Sequence, residues 1–164
     1  MMRKLTPVPL TAEAFASFGD VIETRGIPRE INYGVTQRFH DLAGVDAGDG
    51  RVSVNIFRSR PIDFPFVLKS MENHPLSSQA FVPLSGRPFI VVVAPAGPFD
   101  PAGIRAFLAS ARQGVNFRKG TWHHFNLALE AQSDFLVIDR EGRGPNCEEV
   151  MLEDTILLAP QASV

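Results

Sequence analysis

Cysteine is almost missing from this sequence: Cys147 stands alone among 164 residues, so no disulfide can form within the chain. Charge of one sign is missing too, because 16 basic and 18 acidic residues are well mixed and leave a net charge of -2. That balance provides no basic stripe for phosphates, and it argues against nucleic acid as a partner. The most apolar run, FIVVVAP from Phe89 to Pro95, is far shorter than the ~20 residues that cross a bilayer, so no membrane span is expected. The opening MMRKLTPVPL has two basic residues but no apolar stretch of signal-peptide length, which makes the cytoplasm the simplest compartment. No Gly-rich phosphate loop, nucleophile elbow or Cys-pair knuckle occurs, and the common nucleotide-binding, serine-hydrolase and zinc-finger readings fall away. Trp and Tyr occur once each beside 13 Phe, so the aromatic content favours burial without polar handles.

What is present is strand and turn. At 164 residues and 45% hydrophobic content, residues 1–164 are expected to form one domain with a sizeable core. DVIE, TQRFHDL, RVSVNIFRS, FVLKSMEN, QAFVPL, FIVVVAP, GVNFRK, WHHFNLALE, SDFLVIDR and CEEVML read as strands between Gly- and Pro-rich turns. Such spacing predicts an all-β sandwich or barrel. Two short helices are expected: one over TAEAFASFG, capped by Thr11 and closed by Gly19, and one over PAGIRAFLAS, opened by Asp100-Pro101. In RVSVNIF, Val52, Val54 and Ile56 alternate with Ser53 and Asn55, so one face is apolar and the other can line a polar lumen. FIVVVAP does not alternate and reads as covered on both faces.

Polar groups with ligand chemistry gather in ENHPLSSQAFVPLSG. Glu72 and His74 are two residues apart, which on a strand puts both on one face, and Gln79 opens the next apolar run, expected as the hairpin partner. Further on, RKGTWHHFN supplies His123 and His124, of which one must face inward. Imidazole, carboxylate and amide oxygen together suit a divalent transition metal. The plain alternative is a turn histidine beside Pro75 and a packed imidazole. In QRFHDL, Arg38 and His40 share a face: an arginine forks a carboxylate and a histidine titrates near neutrality, so the pair could bind and turn over a small acid. A surface Arg–Asp pair flanking Phe39 is the other reading. Asn55, Arg58, Ser53, Arg60, Asp139 and Arg140 are weaker polar candidates, since strand-end charges are commonly solvated.

The spacing Glu72-x-His74-x4-Gln79-x6-Gly86 resembles the first cupin motif, with Glu in place of its first His and Gln in place of its Glu. Gly120-Thr-Trp-His123 resembles the second, although Arg118 stands where that motif has proline and Asn126 falls one residue early. FASFGDVIET, QRFHDLA, HPLSSQAFVPLSGRPFIVVVA, IRAFLASARQGVNFRKGTWHH and SDFLVIDR, in that order over roughly residues 5 to 158, resemble the bacterial ureidoglycolate lyase family. The resemblance implies a cupin-type double-stranded β-helix, or jelly-roll barrel, with a few short peripheral helices. It also implies a homodimer that splits (S)-ureidoglycolate into glyoxylate and urea in allantoin breakdown, with a divalent metal, nickel, in the barrel. Glu72, His74, Gln79 and His123 map onto the metal positions, the neutral amide of Gln79 weakening the site. Catalytic work would then fall to His74, His123, Glu72 and His40, and substrate binding to Arg38, Gln79, Asn55 and Arg58. A non-catalytic cupin holding a small carboxylic acid, or a cupin isomerase or oxygenase, are the competing readings; fold alone does not separate them.

Overall fold

The computed structural model describes residues 2–160. Its elements run β1 (Met2–Leu5), β2 (Val8–Pro9), α1 (Ala12–Phe15), β3 (Gly19–Ile22), β4 (Arg29–Ile31), β5 (Thr36–Arg38) and β6 (Arg51–Ser59). The chain continues with β7 (Phe66–Asn73), β8 (Gln79–Pro83), β9 (Phe89–Ala94), a 3₁₀ turn over Pro101–Gly103, β10 (Arg105–Ala109) and β11 (Gly114–Phe117). Then come β12 (Trp122–His123), β13 (Leu127–Ala128), β14 (Ser133–Glu141) and β15 (Glu148–Leu158). One sheet has the order β1-β15-β7-β12-β9-β10-β2, with β13 added on β9, and the other β3-β11-β8-β14-β6. From β6 onward the chain crosses repeatedly between the sheets, as a cupin-type jelly roll requires: β6, β8, β11 and β14 lie in the second, β7, β9, β12 and β15 in the first. A separate two-stranded hairpin joins β4 to β5.

The apolar pattern explains the layering. Strand β9 is buried along its whole length: Phe89, Val91 and Val93 enter one cluster with Phe81, Phe107, Phe117, Phe135 and Val137, while Ile90, Val92 and Ala94 enter a second with Leu68, Met71, Ile156 and Leu158. A non-alternating apolar run is what a strand covered on both faces needs. Phenylalanines fill the first cluster; Phe89 and Phe135, for example, meet edge to face at 5.1 Å. Each such ring contributes ~1.5–3 kcal/mol by burial.

Two helix expectations change. Thr11 does cap α1, accepting a hydrogen bond from Ala14 N, but the helix lasts only from Ala12 to Phe15 and Gly19 begins β3 instead of closing it. Glycine is required there because a Cβ would lie 1.9 Å from the Asn116 carbonyl oxygen. PAGIRAFLAS is not a helix: Asp100 and Pro101 start a single 3₁₀ turn, and Arg105–Ala109 pairs residue for residue with β9. Strand pairing that buries Phe107 in the core outweighs the local helix signal. The expected pairing of the His74 and Gln79 strands in one hairpin is also overturned, since β7 and β8 lie in opposite sheets. The segment WHHFNLALE breaks into β12 and β13, and CEEVML extends to Leu158 through a register shift between Met151 and Ile156.

Candidate active site

Two sequence segments meet through backbone pairing. Glu72 on β7 is the register partner of His123 on β12, and Gly120 N donates to the His74 carbonyl oxygen at 3.0 Å. Paired residues on adjacent strands share a sheet face. Glu72, His74 and His123 each therefore place a ligand atom within 4.8 Å of one another. Gln79 reaches the group from the opposite sheet, its Oε1 3.1 Å from His74 Nε2. Bringing ligands from both sheets is what the jelly-roll crossing makes possible, and the two segments need no sequence proximity.

The tertiary structure also decides between the adjacent histidines. His123 faces the barrel interior, stacked on Phe117 with ring centroids 4.3 Å apart and planes at 10°. His124 packs on Phe66 and Phe125 instead. Burial pushes His123 down to about 3, with the neighbouring His74 acting in the same direction, so this ring is neutral over the physiological range. Its Nδ1 lies 3.2 Å from the His124 carbonyl oxygen and 3.8 Å from Glu72 Oε1, both acceptors, so Nδ1 carries the proton. Its Nε2 is then a buried lone pair without a hydrogen-bond partner.

His74 has an equivalent feature. Its Nδ1 meets the Asn146 carbonyl oxygen and must donate. Its Nε2 faces Gln79 Oε1, an acceptor, at 3.1 Å, a contact that only a proton or a cation at Nε2 satisfies. With the orphaned His123 Nε2 and the Glu72 carboxylate, this donor set fits a divalent ion of the transition series.

A cavity of about 310 Å³ opens beside His74 and Gln79, lined also by Asp139, Asn146 and Cys147 among others. Asp139 accepts from Asn55 Nδ2 at 3.0 Å and lies beside the Gln79 amide, which favours its charged form. Desolvation nevertheless pushes its carboxyl above the usual carboxylate range. Glu72 Oε2 takes the Cys147 thiol at 3.6 Å, and that thiol is pushed up, by burial first and by Glu72 second.

Not every sequence candidate joins the cluster. Asn55 does so through Asp139, on the polar inward face of β6. Arg58 lies further along β6 in an exposed two-pronged pair with Asp134, at 2.7 and 2.9 Å. Arg38 and His40 are both exposed, Arg38 ending β5 and His40 just beyond it, and neither lines the cavity. Arg140 lines the cavity, but its guanidinium is taken up by Ala47 O, Asp49 and the Arg143 carbonyl. Asn146, which orients His74, sits in a loop without periodicity and gave no signal. Asp139 had one: Phe135, Val137 and Asp139 alternate, so an acid continues a core-facing stripe.

The fold and this cluster define the class: a cupin-type barrel that gathers imidazoles, a carboxylate and an amide with the chemistry of metal ligands. Comparison with known proteins is more specific. The family model described as ureidoglycolate lyase matches residues 2–159. A Burkholderia mallei protein named ureidoglycolate lyase is 54% identical over 164 residues, covering 98% of this chain and 96% of its own. Namesakes from Brucella anthropi (55% identical, covering 90% of this chain and 89% of their own) and Pseudomonas fluorescens (48%, with 97% and 99%) extend the match. Among solved structures, RmlC from Streptococcus suis in complex with dTDP-D-xylose overlaps 57% of this chain and 46% of its own, at TM-score 0.45 and 8% identity. The chain belongs to the ureidoglycolate lyase family.

Proposed function

We propose that this protein cleaves ureidoglycolate to glyoxylate and urea, and that the Glu72–His74–Gln79–His123 group is where it does so. The observation that carries the site assignment is the convergence of Glu72, His74 and His123 ligand atoms within 4.8 Å beside a polar cavity, in a chain of this family. Ureidoglycolate is an α-hydroxy acid with urea on the same carbon. Its cleavage removes the hydroxyl proton, turns the C–O bond into the glyoxylate carbonyl, and breaks the C–N bond, whose electron pair takes a proton on the departing urea nitrogen.

Where no ion holds it, Glu72, partly open to solvent, takes the hydroxyl proton and delivers it to the nitrogen. His74 and His123, oriented by the Asn146 and His124 carbonyls, turn their Nε2 atoms toward the site. Gln79 offers an amide oxygen on the same side. A divalent ion, nickel in the reading from family resemblance, would be held by Glu72, His74, Gln79 and His123 and would supply Lewis acidity that lowers the hydroxyl pKa.

The direct test is urea and glyoxylate release from racemic ureidoglycolate by the purified protein, after chelation and again after adding nickel, manganese or zinc. Equal amounts of the two products support the lyase, and restoration by one ion identifies the cofactor. Saturable binding without products would favour the non-catalytic reading, and oxygen uptake an oxygenase.

The protein is further proposed to act as a homodimer in the cytoplasm. Val52, Val54 and Ile56 are 48, 65 and 55% exposed on the outer face of edge strand β6, flanked by half-buried Leu136 and Ile138 of β14. On the projecting β4–β5 hairpin, Tyr33 and Val35 are also exposed. An isolated two-stranded hairpin is marginal in water, so a second copy that covers it is favoured. Arg38 and His40 ride on that hairpin, and they reach a site only if a second copy presents them. Val54→Asp is expected to shift the protein from dimer to monomer in sedimentation equilibrium; an unchanged dimer would place the interface elsewhere.

A further inference from the structure

Gln79 is an ambiguous ligand by its chemistry. One end of its amide accepts and the other donates, and a half-turn about the last bond exchanges them. Against His74 the difference is large: oxygen toward the site gives one more acceptor for a cation, whereas NH₂ toward the site offers none and closes the position. Something must choose.

The structure assigns that choice to Asp139, with Asn55 as its seat. The Asp139 carboxylate is an acceptor at both oxygens, so when it takes a hydrogen bond from the Gln79 amide it fixes the NH₂ end on itself and leaves Oε1 on His74, 3.1 Å from Nε2. Asn55 Nδ2 holds the carboxylate at 3.0 Å and also bonds Ser53 Oγ at 3.2 Å. The backbone supports this line: Ser53 is the register partner of Asp139, and Ile138 that of Ala80, which sets Asp139 beside Gln79, so the network runs across β6, β14 and β8 on the inner face of one sheet. Asp139 is thus a positioning residue, acting through Gln79 and not on substrate. In metal sites generally, groups that orient the ligands change affinity or activity by about 10–100-fold when removed.

The inference rests on the lyase site proposed above, yet it can be tested without substrate. The Gln79 side-chain NH₂ resonances, identified by their loss in Gln79→Leu, are expected to be well dispersed and protected from solvent exchange in the metal-free protein. They should collapse toward solvent-exposed values in Asp139→Leu, or in Asp139→Ala if leucine prevents folding. Unchanged Gln79 resonances would overturn the proposal.

Manganese affinity gives the second readout. Asp139→Leu is expected to weaken it about 10–100-fold when Gln79 is present and less than about twofold in Gln79→Leu, because a residue acting only through another has no effect once that one is gone. Equal losses in both backgrounds would overturn the proposal. Absence of urea release would remove the lyase reading and leave both measurements valid. Absence of manganese binding in the unmodified protein would remove the cation, and the resonances alone would then decide.

Discussion

His74→Ala and His123→Ala are each expected to lower kcat/KM for urea release about 10³-fold, within the ~10²–10⁴ range for loss of a group that positions or moves a proton at the reacting centre. The two rings provide fixed nitrogens, one orphaned at His123 Nε2 and one at His74 Nε2 facing Gln79, and alanine provides neither. Far-ultraviolet circular dichroism should stay as in the parent, because the backbone pairing of β7, β12 and β9 does not use either side chain. Arg58→Ala is the control. Its pair with Asp134 is exposed, its guanidinium is held up in pKa first by that hydrogen bond, and exposed pairs of this kind contribute little to stability. Parent-like turnover in both histidine variants would remove the cluster from catalysis.

Acid stability is expected to depend on one buried ring. Unfolded, His123 titrates near its ordinary value of 6.5; folded, burial holds it at about 3. Its folded pKa is depressed, so the unfolded chain binds the extra proton first, and the stability associated with the neutral ring is present above pH 6.5 and lost as pH falls toward 3. At about 1.4 kcal/mol per pH unit, the loss reaches about 3 kcal/mol by pH 4. His124, also lowered by burial, adds in the same direction. Urea denaturation of metal-stripped protein between pH 7 and 4 should show this slope. His123→Phe, which keeps the stack on Phe117, should flatten most of it. Parallel curves for parent and variant would mean that His123 charges freely in the folded protein.

The legibility of the site differs residue by residue. Glu72 and His74 were visible as a pair because a two-residue spacing on a strand has one geometric outcome. Gln79 was visible by its spacing to Gly86, but its strand was assigned to the wrong sheet, since nothing local distinguishes a hairpin from a crossing between layers. Asp139 was named only as a strand-end charge, although its place after Phe135 and Val137 in an alternating stripe marks it as inward. Arg38 and His40 show the opposite case: chemistry suited to a carboxylate, on a hairpin that the chain's own barrel does not cover.

The sequence by itself determined the all-β character, through short apolar runs cut by glycine and proline, and the twice-covered strand Phe89–Ala94, through its lack of alternation. It also determined the ligand chemistry, because residue type and spacing along one strand are local properties. Tertiary structure alone decided which of His123 and His124 faces the barrel, that Arg105–Ala109 is strand and not helix, and that Gln79 meets His74 from across the sandwich. Each of these depends on a partner strand distant in sequence, and the free energy of that pairing and burial outweighs the preferences of the segment itself.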